Sequence, residues 1–347
     1  MIDAQRFAGK VVALVGGAGF IGHNLALALK AAGASPHIID SLQVNNLGAF
    51  TSGLSPNPNN NLYVGLINAR LDLLRGAKIP LHIIDARDYH LLSPCLNSIN
   101  PDVVIHLAAV AHANRSNKDP LSTFDHSMRT LENSLDSVRE RKPHFIFLSS
   151  SMVYGDFDGA MVDEERRCEP LGIYGALKLG AEKLVIAYGQ VFGLPYTIVR
   201  PSALYGERCV SRRVGQAFIE NAIRGRPLTV NGDGQDALDF TYIQDLCQGL
   251  MLCIEKPEAR QQIFNLTFGG ARSLNSLTDL VRKYFPKLEV NHQPRDALMP
   301  ERGTLSIEKA RRLLGYAPQY PVEVGFVRYI EWYLKLVAAQ PDLFRED

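Results

Sequence analysis

Cysteine is scarce in this sequence: five residues, at 95, 168, 209, 247 and 253, include no CxxC pair. Neither a disulfide framework nor a zinc site is therefore expected. A charge excess is also missing. Lys and Arg total 37 against 36 Asp and Glu, a formal net charge of +1, which leaves no overall electrostatic footprint for DNA or RNA. The nine histidines form no HExxH or comparable pairing, so no metal is expected. The apolar run VVALVGGAGFIG is broken by glycines and too short to span a bilayer. The polar MIDAQRFAGK before it lacks the basic start and cleavage site of a signal peptide. The expectation is a cytoplasmic protein with free thiols and with neither nucleic acid nor membrane as a partner.

What is present is a chain of 347 residues, 46% hydrophobic and 21% charged, enough to bury a large core in one big α/β domain or two lobes. Apolar runs rich in Val and Ile alternate with helix-length amphipathic segments: VVALV at 11–15, a helix over 20–32 ending at Gly33, then PHIID at 36–40. Parallel strands need crossovers of this kind. Further strands are predicted at 81–84, 103–109, 144–150 and 196–200, and their continuous apolar character suits central strands covered on both faces. The stretch 42–65, with its polar SGLSPNPNNN, reads as a surface loop. After about Pro201 the alternation fades. The predicted fold is α/β, a Rossmann-like doubly wound parallel sheet over residues 1–200 that also receives part of 238–265, and a smaller C-terminal substrate-binding lobe over 201–347.

Strand VVALV leads into Gly16, Gly17, Ala18, Gly19, Phe20, Ile21 and Gly22, after which a helix begins. Glycines there let the backbone turn sharply and approach a pyrophosphate, whose charge sits on unpaired amides at the helix N-terminus. Asp40 ends the next strand, 18 residues beyond Gly22, where a carboxylate binds both ribose hydroxyls and repels a 2′-phosphate. The pattern predicts NAD rather than NADP as cofactor.

Tyr174 and Lys178 lie in YGALK, four apart and so on one helix face. A nearby ammonium lowers a phenol's pKa and makes tyrosinate a usable base. The preceding strand ends in the serine cluster LSSSMVYG, at the carboxyl edge where parallel sheets bind ligands. Together these groups read as one hydride-transfer site.

In the order GGAGFIG, Asp40, IIDARD, HLAA, SSSMVYG, YGALK, RPSALYG and GDGQDALDFTYIQDL, nearly the whole chain resembles the extended short-chain dehydrogenase/reductase family, and within it the nucleotide-sugar epimerases, dehydratases and decarboxylases. The resemblance implies that Asp85, with Ala86 beside it, meets the adenine and that Leu107, Ala108 and Ala109 line the cofactor. It also implies that Ser150 holds the reacting hydroxyl and that Pro201 and Ser202 lie against the nicotinamide. Catalysis falls to Ser150, Tyr174 and Lys178. The activity so implied is an NAD-dependent epimerase of a nucleotide-diphosphate sugar, acting at C4 through a 4-keto intermediate, in carbohydrate metabolism and the supply of sugars for polysaccharides. A 4-ketosugar reductase or dehydrogenase is the alternative. A homodimer, paired through helices near 121–141 and 174–192, is implied as well.

Several positions depart from the family's pattern. Dehydratases carry Asp and Glu after the catalytic Ser or Thr, and decarboxylases usually have Glu before VYG; Ser151 and Met152 stand here. Neither moves a proton as a carboxylate does, so elimination and decarboxylation lose support. Ala203 and Leu238 occupy positions where relatives use Asn and Arg toward a diphosphate, and Ser127 stands at a usual Asn. Arg208, Arg212, Arg213, Arg295 and Arg302 are the candidate replacements, since each can form charge-assisted bonds to phosphate.

Overall fold

The computed structural model describes residues 5–51, 59–110, 113–295 and 298–345. Its scaffold is a parallel sheet, with strands β1 (Val11–Val15), β2 (Ser35–Asp40), β3 (Leu81–Ile83), β4 (Val103–His106), β5 (His144–Leu148) and β6 (Tyr196–Arg200). Shorter strands follow: β7 (Leu204–Tyr205), β8 (Leu228–Asn231), β9 (Ala237–Leu238), β10 (Thr241–Tyr242), β11 (Gln262–Asn265), β12 (Arg272–Ser273) and β13 (Val290–Gln293). Of these only β11 rejoins the sheet, whose order is β11-β6-β5-β4-β1-β2-β3. Every pairing in it is parallel.

Crossover helices make that possible. They are α1 (Phe20–Ala31) after β1, α2 (Leu47–Thr51) and α3 (Asn60–Gly76) after β2, α4 (Tyr89–Ile99) after β3, α5 (Ala113–Lys118), α6 (Pro120–Phe124) and α7 (Thr130–Val138) after β4, and α8 (Gly172–Phe192) after β5. The strands alternate faces at the two-residue period. Leu14, Ile105 and Ile146 pack on the α1 side with Leu25 and Leu29. Ala13, Val104 and Phe145 pack on the other side with Leu135, Ala181 and Val185 of α7 and α8.

The later chain adds α9 (Val214–Ile223), α10 (Ile243–Glu255), α11 (Leu274–Tyr284), α12 (Glu308–Leu314) and α13 (Val322–Ala339). Helix α10 packs against α1, so 243–265 belongs spatially with the sheet. Helices α9, α11 and α13 pack together, and their Phe218, Leu277, Phe326 and Tyr329 continue the core that begins under α1.

One sequence expectation is corrected. The stretch 42–65 is not all loop: α2 lies within it and α3 begins at Asn60, while the part over 52–58 lies outside the described residues. The asparagines masked an amphipathic pattern that continues past them, in which Leu62, Tyr63, Leu66, Ile67, Arg70 and Leu74 form a buried stripe at helical spacing. Register places the site: Val15 pairs with Ile39 and His106, His106 with Phe147, and Phe147 with Ile198. The strands thus end along one edge, where Gly16, Ser41, Leu107, Ser149 and Pro201 leave the sheet together.

Candidate active site

At that edge β1 turns at Gly16, with φ +79°, where a Cβ would lie 2.6 Å from Ala108 N. No L side chain fits, and the absence of one brings the turn against the end of β4. Gly22 meets the same limit, its hypothetical Cβ lying 2.3 Å from Gly17 O. Helix α1 starts at Gly19 with no side-chain cap, so its first amides face outward as an anion site. Asp40 accepts hydrogen bonds from Ala18 N at 2.9 Å and Leu42 N at 2.8 Å. Burial raises its pKa from the ordinary carboxylate value, and those amides pull it back. Asp85 is paired with Arg87 at 2.6 Å, which lowers its pKa. These groups, with Phe20, Ile21, Ala86, Leu107, Ala108 and Ala109, line a cavity of about 150 Å³.

A larger cavity, about 460 Å³, adjoins it and shares Ile21, Leu107, Ala109, Leu204 and Arg213 with it. Ser150 follows β5, and its Oγ accepts from Met152 N at 3.2 Å. Tyr174 stands in the first turn of α8, with Lys178 one turn on. All three line the larger cavity, with Ser151, Met152, Pro201 and Ser202. Desolvation raises the Tyr174 pKa, while the Arg213 cation and a hydrogen bond with Ser150 oppose it. Lys178 Nζ donates to Leu148 O at 2.5 Å and lies 4.8 Å from the Phe147 ring centre. Burial brings the Lys178 pKa down to about 8. Here the sequence expectation needs amendment: the cation offsetting the phenol's desolvation is Arg213, and the Lys178 ammonium is engaged by a backbone carbonyl.

The larger cavity is cationic, with Arg213 at its border with the smaller one. Arg212, Arg213, Arg295 and Arg302 line it, and Asp236 is the one carboxylate among the described lining residues, paired with Arg295 at 3.0 Å. Arg302 Nε is buried and has no hydrogen-bond partner among the described residues. Burial and neighbouring Arg213 lower the Arg302 pKa to about 10. A guanidinium held this way gains from an anion placed against it. Phe218, Thr229, Asn231, Leu274 and Leu277 also line this cavity.

Ala203 and Leu238 also face this cavity. Arg208 lines neither cavity: its Nε donates to His23 Nε2 at 3.1 Å. The backbone has positive φ at Arg208 (62°) and Arg212 (46°). Ser127 lies in a wide turn between α6 and α7, and its Oγ accepts from Val110 N at 3.4 Å. Sequence reasoning passed over Arg70, Asn114 and Asp236, all of which line the cavities. Only Arg70 left a trace, as a cation on the buried stripe of α3. Among the described residues no three or more His, Cys, Asp or Glu side chains converge to hold a metal, and no helix is long and apolar enough to cross a membrane.

A family model described as the NAD dependent epimerase/dehydratase family matches residues 12–267. An uncharacterized UDP-glucose epimerase of Bacillus subtilis is 31% identical over 234 residues, covering 67% of this chain and 74% of that one. UDP-glucuronate 4-epimerase 1 of Arabidopsis thaliana is 27% identical over 353 residues, covering 95% of this chain and 78% of its own. Among solved structures, UDP-glucuronic acid 4-epimerase from Bacillus cereus, in complex with UDP-glucuronic acid and NAD, superimposes with a TM-score of 0.81 at 26% identity. It covers 94% of this chain and 100% of its own. The match spans the glycine turn, the serine cluster and the Tyr174 helix in one continuous stretch, so the chain belongs to the NAD dependent epimerase/dehydratase family and uses NAD as its cofactor.

Proposed function

We propose that this protein is a nucleotide-sugar epimerase acting at C4, with a nucleotide-diphosphate sugar as substrate. The observation that carries the reading is the adjoining of two cavities, the glycine-lined one and a larger one lined by Ser150, Tyr174 and several arginines, with Arg213 lining both. The residues present fit NAD: the Gly16 turn packs against the end of β4 and lines the smaller cavity, the α1 amides are uncapped, and Asp40 lines the same cavity. When bound, NAD supplies the acceptor and donor of the C4 hydride.

The protein's own groups do the rest. Tyr174, as phenolate, takes the proton of the sugar O4 and later returns it, and Ser150 directs that hydroxyl toward it. Arg213 offsets part of the desolvation that disfavours the phenolate. Lys178, mainly protonated at neutral pH with a pKa near 8, keeps a positive charge one helical turn away. Arg302, Arg213 and Arg212 hold the diphosphate while the 4-keto sugar turns to present its other face. An anchor on the phosphates rather than on the sugar permits that rotation.

Dehydration needs a further acid at the departing hydroxyl. Asp236 is the one carboxylate on the described wall, and Arg295 occupies it; Ser151 and Met152 supply none. A 4-ketosugar reductase or dehydrogenase would use the same Ser150, Tyr174 and Lys178 but exchange its cofactor at each turnover. The test is to dialyse the purified protein, measure retained NAD, and follow a panel of nucleotide sugars by NMR. Retained NAD with C4 epimers and no net NADH supports epimerisation. Net NADH formation or consumption overturns it in favour of the alternative.

The assembly reading is a homodimer. Leu121 (77% exposed) and Phe124 (48%) on α6 and Val191 (71%) on α8 leave apolar surface on neighbouring helices, which a second copy would cover. Light scattering at micromolar concentration giving a monomer would overturn it.

A further inference from the structure

We infer that Arg70 is a cofactor-binding residue whose guanidinium meets the pyrophosphate of the dinucleotide. It comes from α3, in the segment between β2 and β3, and is 0% exposed. Its Nε and Nη2 both donate to the single carbonyl of Arg208, the former at 2.9 Å. Nη1 is buried with no partner among the described residues. Among the described residues no carboxylate pairs with it, yet it lines the same small cavity as Gly16, Gly19, Gly22 and Asp40.

A buried cation held by one neutral carbonyl is unfavourable unless an anion completes its shell. His23 supplies none: it accepts from Arg208 Nε through Nε2, and Nδ1 faces Gly19 O at 2.9 Å, which makes it a neutral imidazole. Asp85 is taken by Arg87. Asp40 is close enough to act on Arg70 electrostatically but forms no ion pair with it, its oxygens being engaged by two backbone amides. What remains in reach is the uncapped N-terminus of α1, where a phosphate is favoured by amides and helix dipole together. Arg70 adds a full charge to that partial one. The pyrophosphate is preferred over a 2′-phosphate because Arg70 is anchored to Arg208, whose own guanidinium bonds His23 inside the first turn of α1.

The inference rests on the cofactor reading of this cavity. Calorimetric titration of NAD-stripped protein with ADP-ribose, NADP and adenosine separates the two. Wild-type protein that binds no ADP-ribose would sink the cofactor reading and Arg70 with it. Given wild-type binding, Arg70→Gln should weaken ADP-ribose by about tenfold to a hundredfold, as for loss of a charge-assisted bond, and leave adenosine unchanged. Equal loss of adenosine would assign Arg70 to holding the Arg208 loop, loss confined to NADP would move the contact to the 2′-phosphate, and no loss would remove it; each overturns the inference. Should that variant not fold, a crystal structure of the wild-type NAD complex decides. Arg70 Nη1 within about 3.2 Å of a pyrophosphate oxygen supports the contact, and separation beyond about 4 Å refutes it.

Discussion

The two ends of the groove are built from different materials. The glycine-lined end is made of backbone: a turn with no room for a Cβ at Gly16 and uncapped amides at the start of α1. The arginine-lined end is made of long side chains brought in from separate stretches, Arg212 before α9, Arg295 after β13 and Arg302 further on, with Arg213 at the border between the two. A site of the first kind depends on space and tolerates no added atoms. The second depends on charge, which several arginines supply to a wall that also includes Ala203 and Leu238.

The junction belongs to neither end, and the largest effect is expected there. Tyr174→Phe removes one oxygen and should lower kcat by about a hundredfold to ten-thousandfold, while thermal stability and NAD retention stay near wild type. Turnover at the wild-type rate would remove Tyr174 from the base role. Next is the backbone end. Gly16→Ala forces a Cβ against Ala108 N and strains a φ of +79°, so NAD retention should be lost with a stability decrease of roughly 1–3 kcal/mol. If the variant binds NAD normally, the close-packed turn is not what shapes the cofactor site.

At the side-chain end the loss should be graded. Arg302→Ala is expected to raise KM about tenfold to a hundredfold with a small change in kcat, because binding shared by ground and transition states is what it removes. Arg212→Ala should act in the same direction more weakly, since Arg302 carries the unpartnered Nε. Unchanged steady-state kinetics in both would mean that the phosphates are held elsewhere or that the substrate has none.

The same contrast explains what could be read from the chain. The strands that build the sheet, at 11–15 and 196–200, have the bounds their apolar runs imply, because a buried parallel strand leaves continuous local hydrophobicity. Gly16, Gly22, Asp40, Ser150 and Tyr174 sit within short motifs whose chemistry is local, and their placement around two adjoining cavities is what such motifs require. Arg70 lies in no such motif. Its position depends on α3 folding over α1, which the Asn-rich opening of the segment concealed. Arg208 could not be separated from Arg212 and Arg213 by spacing, because the positive φ angles that turn it toward His23 depend on tertiary packing.

A smaller effect tests the boundary at the ribose. Asp40→Asn removes a negative charge but keeps the side chain's size, and it should move cofactor preference toward NADP by about tenfold in titrations, as relief of repulsion against a 2′-phosphate predicts. Preference unchanged would mean that the amides of Ala18 and Leu42 have consumed the carboxylate, leaving it a purely structural loop anchor.

The smallest expected effect concerns Lys178, the buried cation between the two ends. Its pKa of about 8 lies below the ordinary lysine value of 10.5 because burial disfavours the ammonium. From pH 8 to 10.5 the unfolded chain therefore binds more protons at this site than the folded one, and the stability of the cofactor-free protein rises with pH there. Below pH 8 the penalty is present in full. Buried tyrosines such as Tyr154, whose pKa is raised, act the opposite way above pH 10, so the informative window is pH 8 to 10. Urea denaturation of cofactor-free wild type and Lys178→Met across that window cancels the groups they share. The difference should shift in favour of wild type by about 1 kcal/mol per pH unit at most. A difference that stays flat with pH would show that Lys178 keeps an ordinary pKa, and that the bond to Leu148 O and the nearby Phe147 ring compensate its burial.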